Sequence, residues 1–325
     1  MKDQYGRTIR YLRLSVTDRC NLHCRYCRPR GQAEENSAEE ALLTDREILF
    51  LTRLFSERGI RRIKLTGGEP LLRPNLCALV GAIKRLPLIE QVTLTTNGIY
   101  LGLFLDELQK GGIDAINISL NTLDPRRYER ITGYDGFQTV RDNVYRSLRR
   151  GIQTKINVVP QIAENSAELE AFAELAREDA LSVRFIEMMP LGIADAAEGI
   201  DGATVLARLQ RRYGKATPSP EPCGNGPASY YQFPGFRGRI GIISAVSHPF
   251  CASCNRIRLT AQGILKPCLQ FEGGIDLRRL LRQGADEASM LTQIEEGIYR
   301  KPQRHCFSEG LLPDGETRLM SEIGG

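Results

Sequence analysis

Short apolar segments alternate with longer amphipathic segments from the N-terminus to about residue 190. The short segments have the length of strands, and the longer ones repeat their apolar residues with helical spacing. Thr44 and Glu47 have the spacing of a capping box, which marks the start of the first helix. Strands are predicted at residues 10–16, 61–66, 91–96, 114–120, 154–159 and 182–188, and helices at residues 45–58, 75–85, 101–110, 136–150 and 167–177.

Six strand–helix units joined by crossover helices predict a parallel sheet with helices outside it. A complete eight-unit barrel typically needs about 250 residues, and the alternation here stops well before that length. The predicted fold is therefore α/β, an incomplete (βα)6 TIM-type barrel followed by a separate C-terminal region. Prolines and glycines interleave at residues 218–227. We place the barrel at residues 1–190 and the C-terminal region at residues 191–325.

Composition excludes several classes of protein. Hydrophobic residues make up 42% and charged residues 26% of the chain, which is typical of a folded globular protein. The net charge of +5 (44 basic minus 39 acidic residues) fits a small anionic ligand at least as well as a nucleic acid. No segment resembles a secretory signal or reaches the roughly 18 apolar residues of a membrane span. The predicted location is cytoplasmic.

Nine cysteines are present, and in a reducing compartment they are expected to bind metal or to react before they form disulfides. Three of them stand apart, namely Cys77, Cys223 and Cys306. The other six form two groups of three, Cys20, Cys24 and Cys27, then Cys251, Cys254 and Cys268.

Unusual residues follow the predicted strands at corresponding places. The first cysteine group follows the first strand, a Gly-Gly-Glu-Pro sequence at 67–70 follows the second, and a Thr-Thr-Asn-Gly sequence at 95–98 ends the third. Ser119 ends the fourth strand, Lys155 lies in the fifth, and Met189 follows the sixth. Parallel barrels build their active sites at the C-terminal ends of the strands, so these residues are expected to share one site.

The first cysteine group suits an iron–sulfur cluster. A [4Fe–4S] cluster usually takes four protein thiolates, so three leave one iron free to bind another ligand. The alternative is a zinc knuckle with His23 as the fourth ligand. Its neighbours Asn21 and Arg25 are not ligand types that zinc favours.

The sequence CNLHCRYC, followed by a strand that ends in GGEP, resembles the radical S-adenosylmethionine superfamily. The resemblance implies that the three cysteines hold a [4Fe–4S] cluster whose open iron binds S-adenosylmethionine. Reductive cleavage of that cofactor would give methionine and a 5′-deoxyadenosyl radical, chemistry that belongs to the cofactor rather than to the protein. By the same resemblance, the residues around S-adenosylmethionine are Tyr26, Gly68, Glu69, Ser119 and Met189.

The second cysteine group has two interpretations. One is a structural zinc site completed by His248 or His305, and spacing alone does not exclude it. The other is a second [4Fe–4S] cluster with its own open iron. The run CASCNRIRLTAQGILKPCL that carries this group resembles the GTP 3′,8-cyclase family of molybdenum cofactor biosynthesis. The similarity extends over nearly the whole chain and includes YLRLSVTDRCN, IKLTGGEPLLR, LTTNG, SLNTLDP, TKIN, VRFIEMMPLG and the terminal Gly-Gly.

That resemblance implies GTP as the substrate and two [4Fe–4S] clusters. A triphosphate carries about three to four negative charges and needs charge-assisted donors around it. A P-loop sequence is absent. Lys64 and Lys155 interrupt predicted strands, where a cation needs a reason to be, and Asn121 stands where the family often has an acidic residue. The residues implied for GTP are Arg13, Lys64, Thr95, Lys155, Arg184, Arg256 and Arg258, and those implied for catalysis are Arg256, Arg258, Gly324 and Gly325.

The implied reaction removes hydrogen from C3′ of the GTP ribose and joins C3′ to C8 of the guanine, which makes the enzyme a lyase. The implied partners are a flavodoxin- or ferredoxin-type electron donor and the next enzyme, cyclic pyranopterin monophosphate synthase. Whether the chain forms a homodimer is left open by the sequence. Two alternatives are a radical enzyme acting on a peptide, whose C-terminal domain would carry more cysteines, and a zinc-stabilised nucleic-acid-binding protein. The mild charge and the lack of clustered aromatic and basic residues disfavour the latter.

Overall fold

The computed structural model describes residues 1–31, 37–219, 226–307 and 315–324. The six predicted strands are present, and their ends agree with the prediction to within two residues. They are β1 (Tyr11–Ser15), β2 (Arg62–Thr66), β3 (Gln91–Thr96), β4 (Ala115–Ser119), β5 (Gln153–Val158) and β6 (Ser182–Ile186). Cys223, which the sequence leaves isolated, lies outside the described residues.

The five predicted helices are also present, and a sixth was not predicted. They are α1 (Asp45–Glu57), α2 (Leu76–Lys84), α3 (Leu101–Lys110), α4 (Pro125–Thr132), α5 (Phe137–Arg149) and α6 (Leu169–Glu178). The additional helix α4 is short and highly charged, so its apolar repeat is hard to see. Its start nevertheless has a local signal, because Asp124 caps the N–H of Arg127 and Pro125 occupies the first turn.

The described part of the C-terminal region adds six strands and four helices. The strands are β7 (Thr217–Pro218), β8 (Ser229–Gln232), β9 (Arg239–Ile243), β10 (Arg256–Leu259), β11 (Ile264–Lys266) and β12 (Ile275–Asp276). The helices are α7 (Gly202–Tyr213), α8 (Leu277–Arg282), α9 (Glu287–Tyr299) and α10 (Met320–Ile323). No helix within the described ranges is long and apolar enough to cross a membrane.

All twelve strands belong to one sheet, in the order β12-β11-β10-β1-β2-β3-β4-β5-β6-β9-β8-β7. The predicted class, an α/β partial barrel, is confirmed, and β1 to β6 form its parallel centre. Two strands of the C-terminal region extend this centre, since β10 pairs in parallel with β1 and β9 with β6. The connection from β9 to β10 carries Cys251 and Cys254. The division at residue 190 stays a prediction, and the sheet continues across it.

The two faces of the parallel strands differ in polarity. Leu12 and Leu14 of β1 belong to the same buried apolar cluster as Leu51 and Phe55 of α1, whereas Arg13 between them lines a cavity inside the barrel. Because side chains alternate along a strand, every second residue faces the helices and the others face inward. Barrel interiors are usually filled by branched apolar side chains. Here the inward positions instead carry polar side chains around a cavity, in which a ligand could bind.

The predicted capping box at the start of α1 is confirmed. The backbone N–H of Glu47 donates to Thr44 Oγ1 at 3.2 Å, and that of Thr44 donates to Glu47 Oε2 at 2.8 Å. Arg282 of α8 contacts the same carboxylate, with 2.7 Å between Nε and Oε1. Its hydrogen bond lowers the pKa of Glu47 to about 2. The cap therefore also fixes the C-terminal region to the first helix of the barrel.

Replacing Thr44 by Ala is expected to lower the free energy of unfolding by about 1 kcal/mol, because the cap of α1 loses its acceptor. Denaturant unfolding of the full chain measures the change. Thr292→Ala removes a hydroxyl from the exposed middle of α9 and serves as the control, with an expected change below about 0.5 kcal/mol. Equal effects of the two substitutions would contradict the role given to the cap.

Candidate functional site

A cavity of about 350 Å³ lies at the C-terminal ends of the parallel strands. Both cysteine groups reach it, although more than 220 residues separate them in the sequence. The cysteines that line it are Cys20, Cys24, Cys27, Cys251, Cys254 and Cys268. The fold therefore places the two groups around one space, where ligands bound to each could meet.

The Gly-Gly sequence after β2 packs directly against the segment before the first cysteine group. The N–H of Gly68 donates to the carbonyl of Thr17 at 2.9 Å, and that of Glu69 donates to the carbonyl of Arg19 at 2.7 Å. A Cβ atom on Gly68 would lie 2.2 Å from the Arg19 carbonyl oxygen. Glycine is therefore required here by the close approach of two backbones, and it brings the Gly68 backbone to the cavity wall.

The carboxylate of Glu69 is buried beside this contact and stabilises it. It accepts hydrogen bonds from Leu71 N–H at 3.0 Å, Thr96 Oγ1 at 2.7 Å and Asn97 N–H at 2.7 Å. Burial raises the pKa of Glu69 to about 7, against the opposing effect of these donors. Its side chain thus joins the loop after β2 to the end of β3 and is not among the groups that line the cavity. The contact with S-adenosylmethionine was predicted for the backbone of Gly68 and Glu69, and not for this carboxylate.

The thiols of the first group are difficult to ionise on their own. Burial raises the pKa of Cys20, raises that of Cys24 strongly, and together with Cys20 raises that of Cys27 to about 12. The N–H of Leu22 approaches Cys20 Sγ at 3.5 Å, and the N–H of Ser321 hydrogen-bonds the thiol of Cys27. A bound metal supplies the positive charge that such buried thiolates need.

The second group is held by contacts from distant segments. The N–H of His305 donates to Cys251 Sγ at 3.4 Å, and Arg7 Nη1 donates to the Cys251 carbonyl at 2.8 Å. Burial raises the pKa of the Cys254 thiol, but Lys301 and Arg256 more than offset it, so the pKa is lowered overall. Cys254 therefore lies in a positive environment that favours its thiolate.

The arrangement of the thiols fits iron–sulfur clusters. In the part of the chain that the structure describes, no three Cys, His, Asp or Glu side chains are close enough together to hold one metal ion. The six cysteines instead line one shared cavity, and in an iron–sulfur cluster each thiolate binds a different iron. Of the two histidines considered as zinc ligands for the second group, His305 lines the cavity and His248 is exposed.

Cations from five strands project into the barrel. Arg13 lies opposite Lys64 of β2 on one side and opposite Arg258 of β10 on the other. Burial, followed by repulsion from Arg184 and Arg13, lowers the pKa of Lys64 well below its usual value. Burial and the neighbouring arginines do the same to Arg258. Of the cations predicted for GTP, those that line the cavity are Arg13, Lys64, Arg184, Arg256 and Arg258.

Lys155 differs from the other predicted cations. It is buried in β5, and its Nζ lies 5.9 Å from the centre of the Tyr230 ring, a cation–π distance. It is near enough to Lys64 to contribute to the lowered pKa of that residue. The structure therefore places Lys155 in the same group of charges, although it is not among the residues that line the cavity.

Only one carboxylate, that of Glu187, lines the cavity among the described residues. This carboxylate already has hydrogen-bond donors, because it accepts from the N–H groups of Gly202, Val246 and Ser247 at 2.8 to 2.9 Å. The cavity thus carries a surplus of positive charge. An anionic ligand is the group that would neutralise it.

The other residues predicted for S-adenosylmethionine and GTP also reach the cavity, and these are Tyr26, Ser119, Met189 and Thr95. The hydroxyl of Tyr26 accepts a hydrogen bond of 2.5 Å from Asn121 Nδ2, whose Oδ1 accepts from Val159 N–H at 2.9 Å. Asn121, the departure from the family pattern, therefore uses its amide both as donor and as acceptor to fix Tyr26 to the end of β5.

The C-terminal tail enters the barrel. Met320 and Ser321 line the cavity, and the carbonyl of Gly324 accepts a hydrogen bond from Arg258 Nη1. Gly324 has a φ of 81°, and a Cβ on it would lie 2.9 Å from the Cβ of Ser15. The tail thus contacts both the first cysteine group and the buried cations. Gly325, predicted to take part in catalysis, lies outside the described residues.

Asn117, Lys301 and Arg7 belong to the site and were not predicted. Arg184 donates from Nε to Asn157 Oδ1 at 2.8 Å and from Nη2 to Asn117 Oδ1 at 2.5 Å, so two asparagines fix its guanidinium. Asn117 lies at an inward position of β4 and Asn157 at one of β5. Polar residues at such positions are a signal that the sequence offered. Lys301 and Arg7 had no such signal, because both come from segments without a motif.

Comparison with known proteins identifies the family. The Radical SAM superfamily matches residues 14–176, and the Molybdenum Cofactor Synthesis C family matches residues 181–307. The GTP 3′,8-cyclase of Moorella thermoacetica is 41% identical over 329 aligned positions, which cover 100% of each chain. The GTP 3′,8-cyclase of Clostridium perfringens (strain 13 / Type A) is 38% identical over 325 positions, again with 100% of each chain covered.

Among solved structures, Streptococcus suis SuiB bound to S-adenosylmethionine matches with a TM-score of 0.60 and 17% sequence identity, covering 90% of this chain and 68% of that chain. At such identity the likeness concerns the fold. The full-length sequence matches are specific, and they agree with the two cysteine groups and the cationic cavity. The chain belongs to the radical S-adenosylmethionine superfamily and, within it, to the GTP 3′,8-cyclase family.

Proposed function

We propose that this protein is a GTP 3′,8-cyclase and performs the first step of molybdenum cofactor biosynthesis. The reaction removes a hydrogen atom from C3′ of the ribose, joins C3′ to C8 of the guanine, and adds one electron and one proton to the joined nucleotide, giving (8S)-3′,8-cyclo-7,8-dihydroguanosine 5′-triphosphate. The electron would come from the reduced flavodoxin- or ferredoxin-type donor. The observation that carries the proposal is the meeting of both cysteine groups and a set of buried cations at one cavity. The first group would supply the radical, the cations would hold the triphosphate, and the second group would hold the base.

The two cysteine groups would each hold a [4Fe–4S] cluster, the first through Cys20, Cys24 and Cys27 and the second through Cys251, Cys254 and Cys268. When bound, the first cluster and S-adenosylmethionine together supply a 5′-deoxyadenosyl radical by one-electron cleavage of the sulfonium. For the second cluster, the proposed role is to hold the guanine. Tyr26, Ser119 and Met189 would line the S-adenosylmethionine site.

The cations of the barrel would hold and orient the triphosphate. Arg184 is fixed by Asn157 and Asn117, so its guanidinium needs little reordering when a phosphate binds. Arg13, Lys64 and Arg258 lie on adjacent strands at matched register and present three donors side by side. Binding the phosphates in this way would leave the nucleoside to reach between the two cysteine groups. Thr95, Lys155 and Arg256 complete the proposed set.

The tail would complete the site from the other side. Arg258 binds the carbonyl of Gly324 and also belongs to the proposed phosphate set, so the tail and the nucleotide would be coupled through this guanidinium. Arg256 and Arg258 are the proposed catalytic arginines, with Gly324 and Gly325 at the tip of the tail. The flavodoxin- or ferredoxin-type donor, the handover to cyclic pyranopterin monophosphate synthase, the homodimer and the cytoplasmic location stay predictions.

Anaerobic reconstitution tests the proposal directly. We expect about eight irons per chain and, after reduction with GTP and S-adenosylmethionine present, 5′-deoxyadenosine together with the cyclised nucleotide. Cys268→Ser should lose about four irons and the nucleotide product, whereas Cys77→Ser, which alters a cysteine outside both groups, should keep all of them. About four irons with one zinc would refute the two-cluster arrangement, and 5′-deoxyadenosine without a nucleotide product would refute the substrate.

Binding of GTP is expected to take up protons through Lys64. In the free protein burial and neighbouring cations lower its pKa, and a bound triphosphate would raise it again. Affinity should therefore fall as the pH rises above the lowered pKa, since neutral lysine attracts phosphate less. Calorimetric titration over a range of pH, in buffers of different ionisation enthalpy, measures the uptake. Lys64→Arg stays protonated and should reduce it; equal uptake in both proteins would contradict the assignment.

Gly324→Ala is expected to lower the rate of cyclisation roughly tenfold or more without affecting folding. Its positive φ and the close approach to Ser15 both oppose a side chain there, so the end of the tail would shift. Product formation and the thermal midpoint together measure the effect. Gly284→Ala is the matched control, because Gly284 has a similar φ of 83° and open space around it. An unchanged rate in Gly324→Ala would exclude a role for the tail geometry.

A further inference from the structure

The described tail, residues 315–324, is held at both ends by cations from neighbouring strands. At its far end, Gly324 accepts a hydrogen bond from Arg258 of β10. At its near end, Glu316 forms an ion pair with Lys266 of β11. Arg258 and Lys266 are directly opposite each other in the antiparallel ladder of β10 and β11. Two cations that are cross-strand neighbours therefore bind the segment at Glu316 and at Gly324, which are eight residues apart.

The Lys266–Glu316 ion pair is completely buried, with 0% exposure of both side chains. Lys266 Nζ also donates to the carbonyl of Phe271 at 2.7 Å. The other oxygen of Glu316 accepts from Arg318 Nε at 2.8 Å, and Arg318 Nη2 approaches Oε2 at 2.9 Å. Both charges are thus paired and hydrogen-bonded, which is the condition under which a buried ion pair is tolerated.

The backbone of the tail follows from this anchor. The N–H of Glu316 donates to the carbonyl of Gln270 at 2.5 Å, beside the bridge between Gly315 and Phe271. From there the chain forms α10, and Ser321 reaches Cys27. A shift of one residue at Glu316 would move every later contact, because α10 and the Gly324 carbonyl follow at fixed distances along the chain.

We propose that the Lys266–Glu316 ion pair is a positioning device that sets the register of the tail in the barrel. Glu316 neutralises Lys266, which would otherwise add a further positive charge beside Arg258. It also fixes the starting point from which Gly324 reaches that arginine. Neither Lys266 nor Glu316 lines the cavity, so both are positioning residues. The consequence for catalysis rests on the proposed GTP 3′,8-cyclase function, but the consequence for the tail does not.

Removing Glu316 leaves Lys266 buried without its ionic partner, which is more disruptive than removing both charges. Removing Lys266 takes away the link to β11 and leaves Glu316 paired with Arg318 alone. Lys266→Met and Glu316→Gln are therefore each expected to release the tail. The double variant Lys266→Met/Glu316→Gln removes both fully buried charges, leaves only the partly exposed Arg318 without this carboxylate, and should retain the tail more closely. Lys84→Met is the matched control, since Lys84 pairs with Asp114 at 2.6 Å on the outside of the barrel, away from the tail.

Hydrogen exchange of residues 315–324 and tryptic cleavage after Arg318, both in the full reconstituted chain, report on the tail without turnover. Each single variant should raise the exchange and cleavage rates at least roughly tenfold, the double variant should stay within about threefold of the parent, and Lys84→Met should leave them unchanged. Iron content and the thermal midpoint show whether each variant is folded; Glu316→Gln provides the test should Lys266→Met fail to fold.

Turnover adds a second readout. The single variants should form at least roughly tenfold less cyclised nucleotide per 5′-deoxyadenosine, with partial recovery in the double variant. Unchanged exchange in both single variants, or a double variant as exposed as they are, would overturn the proposal. A parent protein that makes no cyclised GTP would refute the proposed function instead, and the exchange data would still decide whether the ion pair positions the tail.

Discussion

The structure depends on a surplus of positive charge enclosed by the parallel strands. Arginine and lysine side chains occupy inward positions that barrels usually fill with apolar groups. Their mutual repulsion and burial lower the pKa values of Lys64 and Arg258, so the free protein holds these charges at a cost in free energy. An anion bound among them relieves both effects. The apolar outer faces of the same strands, packed against the helices, supply the stability that tolerates this interior.

The C-terminal region makes the charged interior into a site. By adding β10 beside β1 and β9 beside β6, it extends the barrel at both edges with parallel strands. The same connection that links these two strands carries Cys251 and Cys254 to the cavity, and β10 contributes Arg256 and Arg258. Two cysteine groups from opposite ends of the chain therefore face one space. Under the proposed function, a radical produced near the first group would act on a substrate held near the second without leaving the cavity.

The tail ties these parts together. It touches Cys27 of the first group through Ser321, and Arg258 of the cationic set through Gly324. Its other anchor is the fully buried Lys266–Glu316 pair on the neighbouring strand. Because Arg258 and Lys266 are cross-strand neighbours, the sheet itself sets the spacing between the two anchors. The first cysteine group, the cationic set and the tail are thus joined by a small number of polar and charged contacts.

The sequence by itself determined the strand–helix units, the two cysteine groups and the Gly-Gly loop, because apolar periodicity and ligand spacing are local properties of the chain. It also indicated Lys64 and Lys155, since cations inside strands are conspicuous. It missed α4, whose charged surface hides its repeat, and it predicted no strand in the C-terminal region. Only the tertiary structure decided the pairing of β9 and β10 with the sheet edges, the brace formed by Glu69, and the contacts of Arg258 and Lys266 with the tail. These contacts join residues that are 27 or more positions apart or depend on which edge a strand meets, and a local pattern holds no information about either.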